Sequence, residues 1–204
     1  MRLGIDLDNT IVRYDELFGE LAVEWGLLAE RPAGGKHAVR QAVRAGPGGE
    51  AAWQALQAEA YGAAMSRAAL FDGVAGFLMR ARNAGVAVRI ISHKSQYAAA
   101  DPLGADLHRA ARVYLQANGF FDPAGFGLAP EDVCFAPTRA EKLQAIAAAG
   151  CTHFIDDLCE VLGHPAFPRN VARYLFTPTG ACAPGPYKTC RSWNELSDEL
   201  VDAA

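Results

Sequence analysis

The 204-residue sequence predicts an α/β fold, a parallel sheet flanked by helices and interrupted after its first strand by a small all-helical insert. Three observations carry this reading. Short apolar runs recur along the chain, each followed by polar or turn residues. Ala-rich helical stretches lie between these runs. One segment, 14–70, holds helical patterns and no convincing strand.

The first strand covers residues 3–5 and gives way to Asp6. Helical patterns follow over 15–28, 36–44 and 50–65, separated by the joints "RPAGG" and "GPGG", whose Gly and Pro residues suit turns between short helices. The alternation resumes at "LFDGVAGFL" with a helix over 74–83 and a strand over 86–91, "VAVRII". Next come a helix over 106–118, a strand over 133–136 ("VCFA"), a helix over 140–149 and a strand over 153–155 ("HFI"). Gly85, Gly119 and Gly150 fall just past helical runs, where a left-handed C-cap is expected. A further strand is expected over 172–176 ("ARYLF"), a long loop over 177–189, and a closing helix over 193–200 capped by Ser192. Strands alternating with helices imply parallel pairing, and apolar runs without alternation fit strands covered on both faces. The expected organisation is a core of 1–13 and 71–204 with an insert of 14–70.

Half of the residues are hydrophobic (51%) and the net charge is −4, with no block of like charges and no basic stripe. This argues against a nucleic-acid or membrane surface as partner. The five cysteines, Cys134, Cys151, Cys159, Cys182 and Cys190, form no C-x-x-C pair, so reduced, packed thiols are expected rather than a zinc cluster or a disulfide framework. Met1-Arg2 runs straight into the first strand, and no apolar stretch approaches the roughly 20 residues that span a membrane. A cytoplasmic protein is the expectation.

In a parallel sheet, ligands bind outside the carboxyl ends of the strands. Residues found there are Asp6, Asp8, Asn9 and Thr10 after the first strand, and Ser92, His93, Lys94 and Ser95 after "VAVRII". Arg139 and Lys142 follow "VCFA", and Asp156, Asp157 and Glu160 follow "HFI". Clustered carboxylates repel one another unless a cation neutralises them, and their hard oxygens select Mg²⁺. Asp6 and Asp156 are the candidate ligands. Asp6 is also placed to attack phosphorus and form an aspartyl-phosphate. Asp8, two residues on, is placed to protonate a leaving alkoxide and then activate water. Ser92 and Lys142 would hold phosphate oxygens, with Arg139 and Lys94 as rival cations. His93 and Lys94 either face the substrate or decorate a loop. Lys36, Arg40 and Arg44 share one helix side and, with His37, form either a cationic or a solvated face.

"GIDLDNTIV", "VRIISHKS", "AEKLQAI" and "HFIDDL" resemble, in order and spacing, the four motifs of the haloacid dehalogenase-like (HAD) hydrolase superfamily. Asp6, Asp8 and Thr10 match its D-x-D-x-T, Ser92 its strand-ending hydroxyl, Lys142 its lysine, and Asp156-Asp157 its acidic pair. The resemblance implies a Rossmann-like core, a Mg²⁺ ion and an aspartyl-phosphate intermediate. It also implies a metal held by the Asp6 carboxylate, the Asp8 backbone carbonyl and Asp156, with Asp157 or Glu160 as a further acid. Thr10, Ser92, His93 and Lys142 are assigned to phosphate. The presence of Asp8 points away from the dehalogenase branch, and the insert occupies the place of that family's helical cap. The expected activity is hydrolysis of a small phosphorylated metabolite. Phosphotransfer through the same intermediate and a non-catalytic phosphate-binding module stand as alternatives. Oligomeric state is left open.

Overall fold

Polar residues at strand ends continue the sheet further than their composition announces, and this places the chemistry. The computed structural model describes residues 1–98, 101, 104–180 and 184–202. Its strands are β1 (Arg2–Ile5), β2 (Val12–Arg13), β3 (Ala69–Leu70), β4 (Ala87–His93), β5 (Val133–Ala136), β6 (His153–Asp156), β7 (Ala172–Phe176) and β8 (Lys188–Cys190). Its α-helices are α1 (Asp15–Glu24), α2 (Gly35–Ala45), α3 (Gly49–Tyr61), α4 (Val74–Asn83), α5 (Leu107–Ala117), α6 (Arg139–Ala148), α7 (Cys159–Leu162) and α8 (Trp193–Leu200). The chain forms two compact units, one of Met1–Val12, Leu70–Lys94 and Asn118–Ala204, the other of Arg13–Ala69 and Ser95–Ala117.

The first unit carries a six-stranded sheet of order β5-β4-β1-β6-β7-β8, parallel throughout. The chain moves outward from β1 through β4 to β5, then returns to the other side of β1 with β6. The order therefore reverses between β1 and β6, where a parallel sheet opens a crevice at its carboxyl edge. β4 includes Ser92 and His93, which sit opposite Phe135 and Ala136 of β5, so backbone pairing carries the strand past its apolar run. β8 falls at the end of the stretch expected to be a loop. It holds three residues, two of them exposed, at the sheet edge beside β7, and offers no apolar run to detect.

Alternation along the strands sorts the core into two faces. Ile91, Phe154 and Leu175 pack with Leu143 and Ile146 of α6 and Val161 and Leu162 of α7. Phe176 instead meets Trp193 of α8, ring centroids 5.6 Å apart, and Trp193 meets Phe77 of α4 at 4.9 Å. Gly4 is required by the first of these faces. A Cβ there would lie 2.5 Å from Cδ2 of the Phe154 ring and 2.8 Å from the Cys151 sulfur.

The second unit is helical apart from single residues of β2 and β3 at its ends. Phe18 stacks on Trp53 at 5.0 Å and meets Tyr61 edge-on at 5.7 Å. Trp53 is buried, whereas Trp25 is exposed. Helix α5 contacts α3 and the 3₁₀ turn Ala63–Arg67, so it groups with these helices. On the supposed cationic face, Arg40 and Arg44 are exposed, with Arg44 bound to Glu50, while Lys36 is half-buried with its ammonium 2.6 Å from the Tyr61 hydroxyl. A cavity of about 320 Å³ in this unit is lined by Gln54, Gln57, Tyr61 and Ser95.

Among the described residues, Cys134, Cys151, Cys159 and Cys190 form no disulfide, and Cys182 lies outside them. No described helix is long and apolar enough to cross a membrane. Gly4→Ala is expected to destabilise the protein by about 1–3 kcal/mol, because the Phe154 ring must leave its packed position. An unchanged denaturation midpoint would show that β1 and β6 tolerate a side chain there.

Candidate active site

Gly4 and Asp6 lie two residues apart along β1 and its extension, and Phe154 and Asp156 two apart along β6. Gly4 is in register with Phe154, and the Asp6 amide donates to the Ile155 carbonyl at 2.9 Å, which carries the ladder to Asp6. Both carboxylates therefore leave the sheet on the α6 side, above the Phe154 ring. Lys142, in the first turns of α6, comes down onto this spot. Its ammonium lies 5.6 Å from the Phe154 ring centroid and 2.6 Å from both Asp6 Oδ1 and Asp156 Oδ2. All three residues are buried. Thr138 caps α6 by accepting from the Glu141 amide, which fixes the turn that presents Lys142.

Burial pushes the Asp6 carboxyl up to about 7, with Lys142 opposing the shift and Asp156 and Asp8 adding to it. Burial also works against the charge of Lys142, but the two adjacent carboxylates outweigh it and hold its pKa above the ordinary range. Lys142 is therefore a permanent cation, and Asp6 is the group whose charge responds to its surroundings. Asp156 Oδ1 accepts from the Leu158 amide at 2.9 Å, which sets the carboxylate plane.

Beyond β1 the chain makes a tight loop. The Ile11 and Val12 amides both donate to the Leu7 carbonyl, and Asn9 takes the left-handed φ of 63° that its short polar side chain tolerates. The Trp193 indole nitrogen donates to the Thr10 carbonyl at 3.2 Å and pins the loop from α8. The Thr10 hydroxyl is directed at Asp157 Oδ1, 3.4 Å away. Asp8 faces Lys94, whose ammonium is 2.7 Å from its Oδ2, with the two side chains 3% and 16% exposed for Lys94 and Asp8 respectively.

The sequence-derived residues are thus only partly brought together. Asp6, Lys142 and Asp156 form one buried group, with Asp157 alongside. Ser92 is 1% exposed and, among the described residues, its hydroxyl has no hydrogen-bond partner, which leaves a buried donor available at this strand end. His93, one residue on, turns to the opposite side of β4, where its exposed ring lies 3.2 Å from the Pro137 carbonyl. Arg139 and Glu160 are exposed. Lys94 is the residue whose place the sequence reading left open. Had β4 been continued through residue 93, alternation would have put Ser92 and Lys94 on one side.

Asp6, Asp156 and Asp157 each bring a carboxylate oxygen within 4.8 Å of the others, a spacing that a single cation can span. With Asp8 they set four carboxylates against the ammoniums of Lys94 and Lys142, a formal charge of −2 when all are ionised. An all-oxygen donor set with a net negative surrounding fits a hard divalent ion.

No protein-family model matches the sequence, and no curated protein matches it either. Solved structures do match. A HAD family hydrolase from Deinococcus radiodurans R1, with bound phosphate and sodium, aligns over 99% of this chain and 95% of its own at 19% identity, with a TM-score of 0.59. The HAD-hydrolase YfnB from Bacillus subtilis, bound to magnesium, aligns over 98% and 97% at 12% identity, TM-score 0.55. An L-2-haloacid dehalogenase aligns over 98% and 97% at 13% identity, TM-score 0.53. The chain has the HAD fold. Within that fold, the carboxyl edge at β1 and β6 is where the acidic group has just been located.

A divalent ion ligated by Asp6 would need its carboxylate ionised, and burial raises that carboxyl to about 7, so binding there would displace a proton. Raising the pH from 6 to 8 should therefore strengthen binding, and added Mg²⁺ should raise the melting temperature more at pH 8 than at pH 6. Equal shifts at both values would contradict the Asp6 assignment.

Proposed function

We propose that the protein is a Mg²⁺-dependent phosphomonoester hydrolase that acts on a small phosphorylated metabolite through an aspartyl-phosphate on Asp6. The observations that carry this reading are a buried Asp6 carboxylate held by Lys142 and, at the end of the neighbouring strand, a buried Ser92 hydroxyl with no hydrogen-bond partner among the described residues. A nucleophile and an unused donor at neighbouring strand ends suit a tetrahedral oxyanion. The phosphate bound by the Deinococcus neighbour and the magnesium bound by YfnB accord with that choice.

In the first half-reaction, an Asp6 oxygen bonds to phosphorus as the bond from phosphorus to the leaving oxygen breaks. Asp8 passes a proton to that oxygen. In the second, a water oxygen bonds to phosphorus, its proton goes to Asp8, and the bond from Asp6 to phosphorus breaks. Ser92 donates to an equatorial oxygen, while Lys142 offsets negative charge beside Asp6. Asp6, Asp156, Asp157 and the Asp8 carbonyl would hold a Mg²⁺, which supplies the charge neutralisation that lets a phosphate dianion approach a carboxylate. The helical unit serves as a cap that selects the substrate, and the polar lining of its cavity, Gln54, Gln57, Tyr61 and Ser95, suits a hydrogen-bonding organic group.

Wild-type protein should release p-nitrophenol from p-nitrophenyl phosphate only with a divalent ion present. Asp6→Asn should cut turnover at least about 1,000-fold with little change in folding. Full turnover by Asp6→Asn would remove Asp6 as nucleophile. Chloride release from 2-chloropropionate, with no phosphate release, would replace phosphatase by dehalogenase.

A further inference from the structure

We propose that Lys94 is a positioning residue for Asp8, holding its carboxylate in place for the leaving group. The inference rests on the phosphatase reading above and extends it to a residue to which the motif match assigns no role. Lys94 and Ser92 leave β4 on the same side, two residues apart, and the Lys94 amide donates to the Ala136 carbonyl at 2.9 Å, so the sheet itself holds the Lys94 backbone. The Lys94 ammonium is buried and lies 2.7 Å from Asp8 Oδ2. The two lysines thus divide the acids. Lys142 lies between Asp6 and Asp156, and Lys94 is set against Asp8.

A buried ion pair of this length restrains where the Asp8 carboxylate sits. The carboxylate held in this way is the one that would serve the leaving oxygen. Proton transfer to a leaving oxygen needs donor and acceptor within hydrogen-bond reach, and a freely rotating carboxylate would meet that condition only part of the time. Lys94 touches neither phosphorus nor the leaving oxygen in this scheme. It acts through Asp8, so its removal should matter only where Asp8 matters.

That distinction can be measured with two substrates. Departure of p-nitrophenolate needs little proton donation, whereas departure of an alkoxide from glycerol 2-phosphate needs it fully. For Lys94→Met, kcat/KM on glycerol 2-phosphate should fall about 100-fold and on p-nitrophenyl phosphate less than about 10-fold. Asp8→Asn should give the same pattern, and the double variant should be no worse than Asp8→Asn alone. Lys94→Arg, which keeps the charge but changes its reach, should fold and show a smaller loss of the same selectivity. Equal losses on both substrates, together with weaker inhibition by inorganic phosphate, would make Lys94 a phosphate ligand and overturn the inference. Additive losses in the double variant, or an unaltered substrate ratio in Lys94→Arg, would also overturn it. A wild-type protein inactive on both substrates would remove the phosphatase reading and the Lys94 role together, whereas an active wild type with unselective losses removes the Lys94 role alone.

Discussion

The Lys142 ammonium held between Asp6 and Asp156 is the interaction on which the rest of the site depends. Two carboxylates and an ammonium are withdrawn from water here, and burying any one of them alone would be strongly unfavourable. Together they are tolerated because each hydrogen bond is short and charge-assisted, and because the Asp156 carboxylate has the Leu158 amide as a second donor. Burial raises the Asp6 carboxyl, Lys142 opposes that shift, and Asp156 and Asp8 add to it.

The sheet order supplies the geometry for that interaction. β1 and β6 are 150 residues apart in the chain yet adjacent in the sheet, and their registers bring Gly4 opposite Phe154 and carry Asp6 toward Asp156. Gly4 leaves the space that the Phe154 ring fills, and the ring in turn underlies Lys142. A packing constraint in the core is thereby tied directly to the placement of charge at the carboxyl edge. On the opposite face, Trp193 couples the aromatic core of α4 and α8 to the loop bearing Asp8 through its bond to the Thr10 carbonyl.

Two features escaped the linear reading for the same reason. β8 and the polar end of β4 carry no apolar signature of their own, because their backbones are ordered by neighbouring strands. The side chain of His93 could not be oriented from its position after an apolar run. Only the continued ladder shows that it faces away from Ser92 and that Lys94 returns to the same side. Likewise, α5 reads as one more amphipathic helix, and its packing against α3 and Ala63–Arg67 is a matter of long-range contact that periodicity does not express.

By itself the sequence determined the α/β alternation, the helical character of 14–70, and the identities of the acids, the hydroxyl and Lys142 at the strand ends. Each of these follows from local apolar patterning, capping residues and chain order. The tertiary structure decided which of those polar groups meet. It set Lys142 between Asp6 and Asp156, gave Asp8 to Lys94, turned Thr10 toward Asp157, and left the buried Ser92 hydroxyl without a partner among the described residues. Such pairings depend on strand order, register and the alternation of side chains across the sheet. Those are properties of the assembled sheet, and no local stretch of the chain contains them.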